Sequence, residues 1–337
     1  MMFYKLEYSP YQRQFKQPLK THHGIWEKRF GIILYLQTET GETWLGEISP
    51  LSWFGSETNE AVWDFCQQLP PTVTETIVDQ IPDSLPACQW GFSSAFALQI
   101  TSEFLQAVEA NSQSKNWQYS YLLPTVTTPS EIAVLLEKSP DLLKDYQTFK
   151  WKIGVHDMQS EMVTLQEIIE LLNHQASQHN IPTEQIKIRL DANTGLTFDS
   201  AKQWLKLADN LGNIEFLEQP LPVDQYAEML ALTQEYATPI ALDESVSNFA
   251  QLTKLATADR QKWPGIFVIK SSIMGKRSPL ENLIKSTGID VVFSSVFETA
   301  IGQYSNLKLA EDLADYLPEK RALGFAVNQW FDQSFLY

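Results

Sequence analysis

Seven short apolar runs recur through the last two-thirds of the chain, and their rhythm limits the fold more than any other feature. They are Tyr119–Val126, Thr148–Ile153, Ile186–Asp191, Ile214–Glu218, Ile240–Asp243, Ile266–Lys270 and Val291–Ser295. Each is brief and rich in bulky or β-branched side chains, the pattern of a parallel strand buried on both faces. Amphipathic segments separate them. Met162, Leu165, Ile168, Ile169 and Leu172 share one helical face, and Trp204, Leu205, Ala208 and Leu211 share another before Gly212 stops that helix. From Asp191 onward the strand ends fall about 25 residues apart, one strand–helix unit. This repetition predicts an α/β fold whose parallel sheet closes into a barrel. Among the 14 glycines neither GxGxxG nor GxxxxGK occurs, which argues against a nucleotide-binding sheet.

The first hundred residues have a different pattern. Phe30–Gln37 alternates, a Glu-Thr-Gly-Glu turn follows, and Thr43–Ile48 reads as a second strand, which together predict a hairpin. Residues 57–70 and 92–110 read as helices, the second with Phe92, Phe96, Ile100 and Phe104 on one face. Strands followed by helices predict an α+β unit. Residues 9–24 are polar, fall outside these elements and are expected to form a mobile lid. Trp53, Trp63 and Trp90 are expected in the core or between domains.

Of the 337 residues, 25 are Lys or Arg and 41 are Asp or Glu, a net charge of −16. Phosphate backbones and anionic lipid repel such a chain, so neither nucleic acid nor membrane is an expected partner. Cys66 and Cys88 are too few for a disulfide framework and form no CxxC pair, so both are expected as reduced buried thiols. The start, MMFYKLEYSPYQ, lacks a signal-peptide pattern, and no apolar run reaches about 18 residues. A cytoplasmic protein, monomeric or weakly homo-oligomeric, is expected.

Chemistry in such a barrel sits at the C-terminal ends of the strands. Three of those ends carry carboxylates: Asp191 after Ile-Arg-Leu, Glu218 after Phe-Leu, and Asp243 after Ala-Leu. Any one of them could cap the following helix. Three on adjacent strands converge on one rim, where each like-charged pair costs roughly 4 kcal/mol at ~4 Å and an effective dielectric of ~20. Such a cluster needs a counter-charge, and hard oxygen donors on rigid strands suit Mg²⁺ (or Mn²⁺). Asp191, Glu218 and Asp243 are therefore the candidate metal ligands.

Lysines flank this arc. Lys150 and Lys152 lie at i and i+2, on one face of their strand, and Lys270 ends a later one. A lysine base must lose its proton near neutral pH, against an ordinary value of ~10.4. Neighbouring cations, burial and a divalent metal all favour that loss. The constellation reads as metal-assisted proton abstraction beside a carboxylate, with a small-molecule carboxylate as substrate.

Lys150-Trp-Lys152, Asp191, Glu218, Asp243 and Lys270 resemble the enolase superfamily, in its branch with lysine on both sides of the barrel. That branch includes muconate cycloisomerases, dipeptide epimerases, N-acylamino acid racemases and o-succinylbenzoate synthases. The resemblance implies a (β/α)7β TIM-like barrel over residues 116–324, and an α+β capping domain over 1–115 with part of the tail, about 325–337. Gly46-Glu-Ile-Ser-Pro-Leu51, Arg13-Gln-Phe-Lys-Gln-Pro-Leu19, Arg189-Leu-Asp191-Ala-Asn193 and Phe293-Ser294-Ser295-Val-Phe-Glu298-Thr are similar to segments of the o-succinylbenzoate synthase family. That similarity implies Lys152 and Lys270 as catalytic residues, and Lys150, Arg189, Asn193, Ser294 and Ser295 as substrate-binding ones. The 13–19 segment then corresponds to a covering loop, beside which the cap carries His22-His23-Gly24. The implied reaction is dehydration of 2-succinyl-6-hydroxy-2,4-cyclohexadiene-1-carboxylate to 2-succinylbenzoate, a step of menaquinone or phylloquinone synthesis.

The alternatives are an N-acylamino acid racemase or a dipeptide epimerase on the same scaffold. Dipeptide epimerases carry Asp-x-Asp on the eighth strand; here Ala322-Leu-Gly324-Phe-Ala-Val has no acid. A glycosidase would use paired carboxylates but needs neither Lys-x-Lys nor a third acid. A non-catalytic barrel would be expected to lose ligands that are all present here.

Overall fold

The structure is a computed structural model, and it describes residues 2–21, 24–97, 99, 116–125, 128–259, 261–327 and 330–331. Four strands form an antiparallel sheet near the N-terminus: β1 (Tyr4–Thr21), β2 (Gly24–Gln37), β3 (Thr43–Ile48) and β4 (Thr72–Val73), in the order β3-β2-β1-β4. The expected hairpin is β2–β3, paired from Ile32↔Ile48 to Gln37↔Thr43. Helix Asn59–Gln67 starts where Thr58 accepts from the Ala61 amide. Helix Pro86–Ala95 covers only the start of the expected 92–110 helix; Ile100 and Phe104 lie outside the described residues, as does the expected domain boundary at 115.

Residues 9–21, expected as lid, instead belong to β1, which pairs with β2 from Lys5↔Gln37 to Thr21↔Gly24. The register shifts between Gln14 and Leu19, a bulge that contains Pro18. Tyr11, Arg13 and Phe15 are buried at alternate positions. Phe15 lies against Phe331, 4.6 Å between ring centroids, and bridges to it, so Phe331 packs on this strand.

The second sheet has eight strands, all pairings parallel: β5 (Tyr119–Leu122), β6 (Thr148–Lys152), β7 (Lys187–Asp191), β8 (Ile214–Glu218), β9 (Ile240–Leu242), β10 (Ile266–Ile269), β11 (Val291–Phe293) and β12 (Leu323–Ala326). Their order is β11-β10-β9-β8-β7-β6-β5-β12, and a parallel bridge Ser294↔Gly324 joins the two edges into a ring. All seven expected runs are strands, trimmed by a few residues. Helix Phe198–Leu211 begins with a reciprocal Thr197/Ser200 cap and ends at Gly212, φ +72°, where only glycine is free of strain.

Two apolar layers flank these strands. Leu190, Leu217, Leu242 and Ile269 face outward into the core shared with the helices. Phe216, Ala241, Ile266, Val268 and Val292 form a separate buried cluster inside the ring. Strand side chains alternate, so Glu218, Asp243, Lys270 and Ser294 stand two positions beyond Phe216, Ala241, Val268 and Val292 on that same inner face. The apolar plug thus forms the floor on which the charged rim stands, each large side chain contributing about 1.5–3 kcal/mol by burial. Among the described residues no helix is long and apolar enough to cross a membrane.

Candidate active site

The cavity opens at the C-terminal ends of the barrel strands and is roofed by the N-terminal unit. Lys150, Lys152, Asp191, Asn193, Asp243, Glu244, Lys270, Ser294 and Ser295 line it from below, with Ser120, Leu122, Gly324 and Ala326. Trp26, Leu51, Trp53 and Phe54 close it from above, next to Phe297. Trp53, expected in the core or an interface, has one face on this cavity and an exposed edge. Trp90 is in the core, whereas Trp63 is partly exposed beside Tyr8.

Register brings the charges to one level: Lys152 is paired with Asp191, and Asp191 with Glu218. Lys150 Nζ donates to Asp191 Oδ2 at 2.9 Å and to Glu218 Oε1 at 2.7 Å. That contact hides Glu218 behind the ammonium. Lys152 Nζ lies 3.3 Å from Asp191 Oδ2 and also donates to Asn193 Oδ1. Asn193 sits in the left-handed region at φ +40°; its amide donates to Asp191 Oδ1 and its Nδ2 to Glu244 Oε1. Lys270 pairs with Asp243 and stands 3.9 Å over the ring of Phe54. Strands β6 and β10 are four apart in a ring of eight, so Lys152 and Lys270 face each other across the cavity.

Four carboxylates, Asp191, Glu218, Asp243 and Glu244, meet three ammonium groups here, and the balance is negative. Burial and the Asp191 charge push the Glu218 carboxyl up, and burial with Glu244 raises Asp243 despite Lys270. Burial also opposes Asp191, but Lys150 and Lys152 outweigh it and hold that group well below the usual range. Burial alone would lower Lys150; Asp191, Glu218 and Asp243 instead lift it well above the ordinary lysine value. The set is therefore short of positive charge.

Among the described residues no three carboxylate, imidazole or thiol groups are gathered around one point at metal-ligand spacing. The oxygens of Asp191, Glu218 and Asp243 are turned to lysines instead. The donor chemistry nonetheless fits a hard divalent cation: carboxylate oxygens, adjacent strand ends, and a surplus of buried negative charge.

Not every expected residue faces the cavity. Arg189 is expected near substrate, yet its Nε donates to Glu215 Oε2 at 2.6 Å and its guanidinium lies over Phe216. It belongs to the barrel floor with Glu215 and Arg321, one inner layer below Asp191. Ser295 lines the cavity, but its hydroxyl donates to Glu298 at 2.7 Å and accepts from the Phe297 amide. Ser294 lines the cavity beside Gly324. His22 and His23 lie outside the described residues. Phe54, Phe297 and Ser120 were not singled out in the sequence, where nothing marks a cap aromatic or a strand serine as cavity lining.

The cap is tied to the rim by buried polar contacts. Arg29 of β2 donates to Val296 O at 2.7 Å and to Ser49 O and Pro50 O. Glu47 of β3 accepts from the Thr299 and Gly302 amides at the start of helix Ala300–Leu313, and from Tyr11. The Leu51–Phe54 and Ser294–Phe297 walls are thus held to each other.

The family model described as enolase C-terminal domain-like matches residues 135–271. The o-succinylbenzoate synthase of Thermosynechococcus vestitus is 36% identical over 333 residues, covering 95% of this chain and 91% of that protein. The chain belongs to the o-succinylbenzoate synthase family. The o-succinylbenzoate synthase structure from Thermosynechococcus elongatus, complexed with magnesium in its active site, superimposes with a TM-score of 0.77 at 34% identity, covering 97% of this chain and 94% of that one. The L-Ala-D/L-Glu epimerase of Bacillus subtilis shares the fold at a TM-score of 0.76 and 19% identity, over 99% and 92% of the two chains. The enolase-type barrel and its antiparallel cap are those of this synthase family.

Proposed function

We propose that this chain is a carbon–oxygen hydro-lyase that dehydrates 2-succinyl-6-hydroxy-2,4-cyclohexadiene-1-carboxylate to 2-succinylbenzoate, with Mg²⁺ (or Mn²⁺) as cofactor. The observation that carries the reading is the facing pair Lys152 and Lys270, with buried carboxylates on the strands between them. The step belongs to menaquinone or phylloquinone synthesis.

Asp191, Glu218 and Asp243 are the residues to hold the metal ion. The chemistry a bound ion supplies is Lewis-acid stabilisation of the charge that develops on the substrate carboxylate. Lys152 acts as the base and removes the proton from the ring carbon that carries the carboxylate. That electron pair becomes a ring double bond as the C6–oxygen bond breaks, and Lys152 returns the proton to the leaving hydroxide. The products are an aromatic ring and water, and the lysine is regenerated. Lys270 stays charged across the ring and stabilises the enediolate. Lys150 neutralises the carboxylate side of the site, and Asn193 orients Lys152. Ser294 faces the succinyl carboxylate, Ser295 holds the wall behind it, and Leu51, Trp53 and Phe54 supply an apolar face for the ring. Arg189 supports the floor.

A racemase or epimerase would use the same two lysines on opposite faces of one carbon. The strand β12, Leu323–Ala326, offers no acid to an α-ammonium group, which favours the dehydratase. Incubating the purified protein with the cyclohexadiene acid tests the reading: product absorbance is expected with Mg²⁺ and not with chelator. No turnover, or exchange of an N-succinylamino acid α-hydrogen with solvent as the sole activity, overturns it.

A further inference from the structure

Gln219 directly follows Glu218 and is buried, with a left-handed backbone at φ +35°. That conformation is uncommon and strained for a residue with a side chain. The surrounding bonds explain why it is held. The Gln219 amide donates to Ala241 O at 2.8 Å, and its carbonyl accepts from the Thr194 amide at 2.8 Å, next to Asn193. Its side chain reaches the following strand end. Oε1 accepts from the Asp243 amide at 3.0 Å and the Ser245 amide at 3.1 Å; Nε2 donates to Ser245 Oγ at 2.8 Å and to Leu221 O at 3.0 Å. Two backbone N–H groups on one side and a carbonyl on the other leave only one orientation of the amide. Both lone pairs and both N–H groups are satisfied in a site without solvent access.

One residue thus ties together the ends of β7, β8 and β9, which carry Asp191, Glu218 and Asp243. We infer that Gln219 is a positioning residue for this carboxylate set, and that it sets the affinity of the site for a divalent cation. The inference rests on the metal-ligand reading proposed above. Hydrogen-bonded groups behind metal ligands typically alter affinity by 10–100-fold when replaced. Glu could not substitute: it lacks both donors and adds a charge beside Asp243.

The test is Mn²⁺ titration of the purified full-length protein by calorimetry and by the electron paramagnetic resonance signal of bound Mn²⁺. Gln219→Met keeps the length and removes every side-chain hydrogen bond; Gln219→Asn keeps the amide and carries the test where the methionine variant does not fold. Leu232→Ala, which opens a cavity behind the barrel without touching the site, controls for lost stability. The expected result is one Mn²⁺ per wild-type chain, lost in Asp191→Asn, about 10–100-fold weaker in the Gln219 variants, and unchanged in Leu232→Ala. Wild-type affinity in the Gln219 variants overturns the inference, as does equal weakening in Leu232→Ala. A wild-type chain that binds no Mn²⁺ overturns the metal-ligand reading beneath it.

Discussion

Lys150 and Glu218, on strands two apart, are joined by a 2.7 Å ion pair, and the same ammonium lies 2.9 Å from Asp191 on the strand between them. On the proposed ligand set, lysine and metal would compete for the same carboxylate oxygens. Removing one partner of a buried pair typically costs about 3–5 kcal/mol because a charge is left uncompensated. Lys150→Met is expected to lower the melting temperature in chelator and to gain more stability from added Mg²⁺ than the wild type does. Thermal unfolding with and without Mg²⁺ checks this; an equal metal-induced shift in the two proteins contradicts it.

The tie between Glu47 and helix Ala300–Leu313 is expected to hold cap and barrel together. Glu47→Ala removes the acceptor of the Thr299 hydroxyl and of the Thr299 and Gly302 amides, each worth about 1–3 kcal/mol when buried and unsatisfied. Urea unfolding should show a loss of at least about 3 kcal/mol, and a loss below about 1 kcal/mol would mean that the contacts are dispensable.

The floor network gives a pH-dependent prediction. Burial opposes ionisation of Glu215, but Arg189 and Arg321 outweigh it and lower its pKa. A depressed carboxyl stabilises the fold above its unfolded pKa of about 4.3, and that stability is lost as pH falls through the folded value. Glu215→Gln should therefore be less stable than wild type at pH 6–7, with the gap closing on acidification below about pH 4. A gap that widens in acid contradicts the assignment.

Phe54 places its ring 3.9 Å from the Lys270 ammonium. Such a contact is worth about 0.5–2 kcal/mol, so Phe54→Leu should reduce kcat by about 2- to 30-fold, while Phe54→Tyr retains most of it. Equal kcat in the leucine variant would remove the ring from the account.

The barrel is readable because its strands are short apolar runs and β6 to β10 each end at or just before a charge, as Leu190–Asp191 and Leu217–Glu218 do. The same alternation puts Lys150 and Lys152 on one face. Parity does not give depth: Arg189 shares the inner face with Asp191 but sits one layer lower, against Glu215. Strand β1 was misread because Pro10, Pro18 and Arg13 interrupt its alternation. Beyond Tyr4 and Lys5 its second edge carries only the isolated Phe15↔Phe331 bridge among the described residues, and such an edge tolerates proline. Gln219 was invisible for another reason. A left-handed glutamine leaves no mark in the sequence, and its partners come from three strands.

Product formation by the Mg²⁺-loaded Lys152→Ala and Lys270→Ala variants tests the central claim most directly. With one acid/base residue, Lys152→Ala should lose at least about 10²–10⁴-fold in kcat, and Lys270→Ala about 10²–10³-fold through lost charge stabilisation. In deuterated water, solvent exchange at the carbon next to the carboxylate of a slow epimerisable analogue should require Lys152 whichever enantiomer is offered. A Lys152→Ala enzyme within tenfold of wild type, or exchange of one enantiomer by each lysine separately, would contradict the one-base dehydration.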